Sequence, residues 1–128
     1  QHKFLTWLCA RCRFTEMPLQ YDLLERHFGL ANLATRRRRH DLLFIRNVHR
    51  HAIDSPYLLT HLPLAVPGRN VRRQTVFHVP YARVGCIKRG LFVRLPETCN
   101  EFVNANREAD IWYLSGYEWR KMVMSYAV

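Results

Sequence analysis

The chain has 128 residues, of which 48% are hydrophobic, and this length and content fit one domain with a modest core. Its 20 lysine and arginine residues against 10 acidic ones give a formal net charge of +10, which favours a polyanionic partner. No apolar run reaches the roughly 18 residues that a membrane span needs, and no stretch resembles a signal peptide. We therefore expect no membrane partner and an intracellular location, in the nucleus or the cytoplasm.

The positive charge is almost entirely arginine, since Lys3, Lys88 and Lys121 are the only lysines. A guanidinium binds phosphate through two parallel hydrogen bonds and stacks on bases, whereas an ammonium acts as a point charge. The composition thus favours nucleic acid as the partner.

Residues 1–62 carry three helical patterns with short connections, which predict a small bundle. The first pattern covers residues 2–13, and four of its apolar residues are predicted to face inward: Phe4, Leu5, Trp7 and Leu8. The second covers residues 17–28 and stops at Gly29, as helices often stop at a glycine.

The third predicted helix covers residues 32–56, with Asn32 as its N-cap. Its apolar face is formed by Ala34, Leu42, Phe44, Ile45, Val48 and Ala52. Its basic face is formed by Arg36, Arg39, Arg46, Arg50, His40 and His51. Arg37 and Arg38 are predicted to form an ion pair with Asp41 at the edge of the apolar face, because these residues are three or four positions apart. The basic face is either solvated or bound to phosphate.

Residues 63–96 predict an extended basic arm, after one helical turn at residues 55–59. The arm has at most one short strand or hairpin, around residues 71–80. Between Pro67 and Pro96 there is no acidic residue and there are seven basic ones: Arg69, Arg72, Arg73, Arg83, Lys88, Arg89 and Arg94. Phe77, Tyr81 and Phe92 are interleaved with them, a composition that suits phosphate contact and base stacking. The alternative is an exposed arm whose charge only maintains solubility.

Residues 97–128 predict a C-terminal helical segment. A short helix is expected at residues 106–112, and a last helix is expected from its cap at Ser115 through Tyr126. The inward stripe of that last helix is Trp119, Met122, Val123 and Tyr126. The predicted fold class is therefore mainly α: a three-helix bundle, an extended basic arm and a C-terminal helix, together one compact unit cut from a larger polypeptide.

Catalytic and metal-binding patterns are weak in this sequence. None of the phosphate-binding glycine loops, zinc-protease motifs or serine-hydrolase motifs occurs. Cys9 and Cys12 have the C-x-x-C spacing, and Cys86 and Cys99 could complete a zinc site. The second pair is separated by twelve residues, so we expect reduced thiols, no metal and no cofactor.

Several sequence blocks occur in a recognisable order. They are F-L-x-W-L at residues 4–8, residues 24–29, N-L-A-T-R-R-R-R-H-D-L-L-F at 32–44, I-D-S-P-Y-L-L at 53–59, V-P-G-R-N-V-R-R at 66–73 and F-H-V-P-Y-A-R at 77–83. Together they resemble the segment that follows the polymerase core in reverse transcriptases of non-LTR, jockey-like retrotransposons of arthropods. The similarity covers nearly the whole chain. It departs at His51, where the family has a glycine that ends the long helix, and at Cys99, where the family has tryptophan.

The resemblance implies a thumb or post-polymerase segment without catalytic aspartates, so we expect no RNA-directed DNA polymerase activity from this chain alone. Its implied partners are an RNA template or RNA–DNA hybrid, bound without sequence preference, and the upstream polymerase domain. The residues predicted to contact the phosphate backbone are Arg36, Arg39, Arg46, Arg50, Arg69, Arg72, Arg73, Arg83, Lys88 and Arg89. The alternatives are a helical protein-interaction or packing module and a nonfunctional remnant of the element.

Overall fold

The computed structural model describes residues 2–12, 21–66 and 75–126. Within these ranges the chain forms helices α1 (His2–Arg11), α2 (Tyr21–His27), α3 (Leu33–His49), α4 (Pro56–His61), α5 (Gly85–Lys88), α6 (Leu91–Ala105) and α7 (Gly116–Ser125). The predicted mainly α fold class is confirmed. No helix in these ranges is long and apolar enough to cross a membrane.

The chain divides into two compact units, Gln1–Arg37 and Arg38–Val128, and the division falls inside α3. This division differs from the predicted segments, whose boundaries were placed at residues 62 and 96. The larger unit contains the main core and most of the basic residues of the chain.

In the smaller unit, α1 and α2 bury a small cluster of Leu5, Cys9 and Leu24. The prediction that Phe4 and Trp7 face inward was wrong, since their side chains are 52% and 55% exposed. Leu5 and Cys9 are four residues apart and form the buried stripe, whereas Phe4 and Trp7 lie on the neighbouring stripe. Their rings lie 6.2 Å apart, centroid to centroid.

The end of α2 confirms the role predicted for Gly29. Its φ of +61° lies in the left-handed region, which glycine adopts without steric cost. The Leu30 amide donates to the Glu25 carbonyl at 2.7 Å, and the Gly29 amide donates to the Arg26 carbonyl at 3.1 Å. These two bonds form a Schellman motif, which satisfies the last carbonyls of the helix. The predicted start at residue 17 lies outside the described residues.

The long helix α3 begins as predicted but ends earlier. The Ala34 amide donates to Asn32 Oδ1 at 2.7 Å, which confirms Asn32 as the N-cap. The predicted end at residue 56 was wrong, because α3 ends at His49 and His51 adopts a φ of +56°. The backbone then turns, and α4 begins at Pro56 with Ser55 as its N-cap residue.

Replacing His51 with glycine is expected to raise the free energy of unfolding by about 1 kcal/mol, because a Cβ is unfavourable in the left-handed region. Urea denaturation measures the change. Ala52→Gly is the matched control, and it should destabilise the protein because His51 is the only non-glycine residue of positive φ among the described residues. A His51→Gly variant less stable than the wild type would contradict the expectation.

The core of the larger unit lies where α3, α6 and α7 meet. Its buried side chains are Leu42, Ile45, Val48, Leu62, Phe77, Leu95, Cys99, Phe102, Val103, Ala109, Ile111, Trp119 and Val123. Trp119 is fully buried, and its ring lies 5.2 Å from the Phe102 ring in an edge-on arrangement. Its indole Nε1–H donates to the Leu42 carbonyl at 3.3 Å, which ties α7 to α3.

The last helix confirms its prediction. Trp119 and Val123 are buried, and Met122 and Tyr126 pack partly buried against the core. The Glu118 amide donates to Ser115 Oγ at 3.2 Å, and the Ser115 amide donates to Glu118 Oε2 at 2.9 Å. This reciprocal pair is a capping box, and the hydrogen bonds with Ser115 lower the pKa of Glu118.

Helix α6 begins earlier than predicted: residues 91–96 were placed in the extended arm, whereas the rest of the helix lies within the predicted C-terminal helical segment. Pro96 lies inside the helix and is buried, although proline usually interrupts a helix because it lacks an amide hydrogen. Burial on several sides of α6 offsets that loss. The helix predicted at residues 106–112 was also wrong: Asn106 is the C-cap of α6. Asp110 Oδ1 then accepts hydrogen bonds from the amides of Trp112 and Tyr113 at 2.7 and 2.9 Å, which favour a turn.

Candidate nucleic-acid interface

The predicted basic arm is attached to the core, in its described part, through the side chain of Asn100. Asn100 lies on α6 and is only 8% exposed. Its Oδ1 accepts hydrogen bonds from the amides of Val76 and Phe77 at 2.9 and 3.0 Å. Its Nδ2 donates to the Phe77 carbonyl at 2.8 Å. One amide side chain therefore binds the backbone of Phe77 as a neighbouring strand would.

The other edge of the same backbone pairs with residues 63–65. Leu64 and Phe77 form an antiparallel bridge, in which the Ala65 amide donates to the Val76 carbonyl at 2.9 Å and the His78 amide donates to the Pro63 carbonyl at 3.0 Å. The strand predicted around residues 71–80 is thus reduced, in the described residues, to this bridge. Arg69, Arg72 and Arg73 lie outside the described residues, on the segment that joins these two paired pieces.

Residues 78–83, which follow Phe77, form no helix or strand, and their exposure varies along the chain. Ala82 is buried, whereas Tyr81 is 88% exposed and Arg83 is exposed. Helix α5, which contains Lys88, follows, and Arg89 is exposed directly after it. No acidic residue occurs between positions 55 and 96, so these guanidinium groups lie on a segment without carboxylates.

An open surface cavity of about 390 Å³ lies between residues 79–83 and α6. Its lining residues are Val79, Pro80, Tyr81, Ala82 and Arg83 from the segment, and Val93 and Glu97 from α6. Val93 and Glu97 are four residues apart and so share one face of the helix. We call this site the Tyr81 cavity.

The predicted basic face of α3 is partly used inside the protein. Arg46 is buried, and its Nη2 donates to the Leu114 carbonyl at 2.7 Å. Arg50 Nη1 donates to the Trp112 carbonyl at 2.6 Å. Burial lowers the pKa of Arg46, and the neighbouring Arg50 lowers it further. The prediction that Arg46 lies on a solvated face was wrong, because the turn at residues 110–114 folds over it.

The other two arginines predicted on this face differ in exposure. Arg36 is exposed, and Arg39 is partly buried. The Arg39 Nε is buried without a hydrogen-bond partner among the described residues. Contact of either residue with phosphate stays a prediction.

The predicted ion pair of Asp41 with Arg37 and Arg38 was also wrong. Asp41 is bound by Arg94, whose Nε lies 2.8 Å from Oδ2 and whose Nη2 lies 3.1 Å from Oδ1. Asp41 is 9% exposed. Its carboxylate is bound by a residue of α6 and not by the preceding turn of its own helix. Arg38 instead lies 3.7 Å from Glu101, at the surface. Both pairs reduce the positive charge that is available for a ligand.

His49 packs against Phe77, a contact that the sequence did not predict. Its ring centroid is 4.8 Å from that of Phe77 and 6.4 Å from that of Trp112. Burial lowers the pKa of His49, and the charge of His51 lowers it further, while a hydrogen bond with the Leu62 backbone acts in the opposite direction. His49 is thus a packing residue that favours its neutral form.

The cysteines give no metal centre in the described part of the chain. All four are free, and no group of three or more histidine, cysteine, aspartate or glutamate residues could hold a metal ion there. Burial raises the pKa of Cys99 to about 12.

Comparison of the chain with models of protein families, with curated proteins and with solved structures gave no match. Sequence reasoning missed Asn100 and Glu97. The signal that could have identified Asn100 is a polar residue inside the apolar pattern of residues 93–103, since a buried amide needs hydrogen-bond partners.

Proposed function

We propose that this chain is a non-catalytic segment of a retrotransposon reverse transcriptase that contacts an RNA template or RNA–DNA hybrid through its phosphate backbone. The family origin rests on the resemblance of the sequence blocks described above. The binding rests on one observation: Arg83, Arg89 and Tyr81 are exposed together on a segment that contains no carboxylate.

The availability of their guanidinium groups separates Arg83 and Arg89 from Arg38 and Arg94. Among the described residues, the side chains of Arg83 and Arg89 have no hydrogen-bond or ion-pair partner, whereas Arg38 and Arg94 are paired with Glu101 and Asp41. A guanidinium without a carboxylate partner can offer its donors to phosphate oxygens as a bidentate fork. The exposed ring of Tyr81 can stack on a base without selecting which base it is.

The attachment of the segment supports the same proposal. Asn100 and residues 63–65 hold the backbone at Phe77 from both edges. The following residues therefore start from a fixed point on the core, and binding need not order this part of the backbone. Contacts of this kind position a nucleic acid without reading its sequence. Arg69, Arg72, Arg73 and Lys88 extend the predicted contact set.

Removing Arg83 and Arg89 together is expected to weaken binding to an RNA–DNA hybrid and to flatten its salt dependence. Each phosphate contact contributes about 0.7–0.9 to the slope of log affinity against log salt. The double alanine variant should therefore lose about 1.5 from the magnitude of the slope. Fluorescence anisotropy with a labelled hybrid, at four or more salt concentrations, measures both quantities.

The matched control is the double variant Arg107→Ala and Arg120→Ala, which removes the same charge from two exposed positions elsewhere in the larger unit. It should leave the slope nearly unchanged. Equal effects of the two double variants would show that net charge alone governs binding, and the proposed interface would then be rejected. The absence of saturable binding by the wild type would reject the proposed function itself.

A helical packing module is the second candidate, and the exposed aromatic pair of α1 favours it. Phe4 and Trp7 are about half exposed, and the Arg11 guanidinium lies 5.5 Å from the Trp7 ring centroid. In this alternative the upstream polymerase domain covers the pair. The anisotropy titration separates the two candidates, since a packing module should not bind the hybrid above a weak background.

A further inference from the structure

The Tyr81 cavity contains a combination of groups that backbone binding does not explain. It brings together a tyrosine ring, the guanidinium-bearing Arg83 and the carboxylate-bearing Glu97. Arg83 and Glu97 are not paired with each other, and neither has another side-chain partner among the described residues. We propose that this cavity binds one unpaired guanine nucleotide of an RNA strand, an inference that rests on the proposed function and adds one base-specific contact to its sequence-independent backbone contacts.

The position of Glu97 carries this inference. It is the first acidic residue after the acid-free stretch at positions 55–96, and it lines the cavity next to the exposed arginine segment. A carboxylate near bound phosphates reduces affinity through like-charge repulsion, unless it accepts hydrogen bonds from the ligand. Its location in the cavity therefore fits a ligand that offers donors.

Guanine is the base whose donors match a carboxylate. Its Watson–Crick edge places the N1–H and the N2 amino group side by side, so the two oxygens of Glu97 can accept one hydrogen bond each. Adenine, cytosine and uracil each offer one donor group on that edge. RNA-binding proteins read unstacked bases through such edges, and paired hydrogen bonds give more discrimination than single ones.

The remaining groups of the cavity fit the rest of the nucleotide. Tyr81 offers a ring face on which the base can stack. Arg83 lines the same cavity as Tyr81. It can bind the phosphate adjoining the stacked base. The cavity is a surface depression of about 390 Å³ that is open to solvent.

The experiment measures the affinity of the full chain for four single-stranded RNA hexamers by fluorescence anisotropy. The hexamers contain uridine at five positions and guanosine, adenosine, cytidine or uridine at the third. The guanosine hexamer is expected to bind about tenfold more tightly than the others, the discrimination typical of one bidentate base contact. In the Glu97→Gln variant this ratio should fall to about 1, because glutamine offers one acceptor and one donor amide.

Glu101→Gln is the matched control, since Glu101 lies four residues further along α6, is exposed and does not line the cavity. It should change all four affinities by one common factor and preserve the guanosine preference. Equal binding of all four hexamers by the wild type would overturn the guanine site and leave the proposed function standing. A common change in all four affinities on Glu97→Gln, with the preference retained, would also overturn it. The absence of saturable binding to any hexamer or to the hybrid would overturn both proposals.

Discussion

Replacing Asn100 with alanine is expected to lower the free energy of unfolding by about 3 kcal/mol. The substitution leaves the amides of Val76 and Phe77 and the Phe77 carbonyl without their side-chain partner. Each buried polar group that loses its partner costs about 1–3 kcal/mol, and water entering the site would recover part of the sum. The loss should be visible by urea denaturation and, locally, as faster hydrogen exchange of the Phe77 amide.

Two further variants make this prediction specific. Asn100→Asp should destabilise the protein at least as much near neutral pH, because it replaces the Nδ2 donor to the Phe77 carbonyl by a buried carboxylate oxygen. Asn104→Ala, one turn further along α6, removes an exposed side chain whose Nδ2 donates to the Asn100 carbonyl at 2.7 Å, and it should cost only about 1 kcal/mol. If Asn100→Ala and Asn104→Ala had similar small effects, the attachment of the Phe77 segment would not depend on Asn100.

Truncation of Trp119 to alanine is expected to cost about 4 kcal/mol, within the range for large aromatic residues in a core. The indole is fully buried, packs edge-on against Phe102 and donates to the Leu42 carbonyl. Its removal leaves a void between α3, α6 and α7. Trp119→Phe keeps most of the ring contact and should cost about half as much.

Trp112→Ala is the control for this prediction, because that ring is 42% exposed. We expect a cost below about 1.5 kcal/mol for it, since less apolar area is removed from the interior. Urea denaturation followed by far-ultraviolet circular dichroism gives all three values without relying on tryptophan fluorescence. A larger loss of unfolding free energy for Trp112→Ala than for Trp119→Ala would show that the core is not centred on Trp119.

Local signals in the sequence were sufficient where a helix end or a helix face is set by its own residues. Asn32, Gly29 and the stripe around Trp119 were predicted correctly because capping, left-handed backbone and helical spacing act within a few positions. The same reasoning failed at Pro96. The local cost of proline is fixed, but the burial that offsets it depends on α3 and α7, which are distant in the sequence.

Sequence reasoning has the same limit for the charged residues of the candidate site. The acid-free stretch could be read from the sequence, but the use of each arginine could not. Arg94 belongs to that stretch and is committed to Asp41, while Arg46 is committed to the Leu114 carbonyl. The composition counts these residues as equal to Arg83, and only the folded chain separates them. The 20 lysine and arginine residues thus outnumber those that a polyanion can contact.

The burial of Cys99 makes its thiol a chemical probe of how the core opens. Alkylation requires the thiolate, and with a pKa of about 12 and no exposed surface this sulfur cannot react while the core is closed. Cys86 is exposed, so its alkylation does not require the core to open and serves for comparison. The rate at which iodoacetamide modifies Cys99 therefore reports how often the core of the larger unit opens.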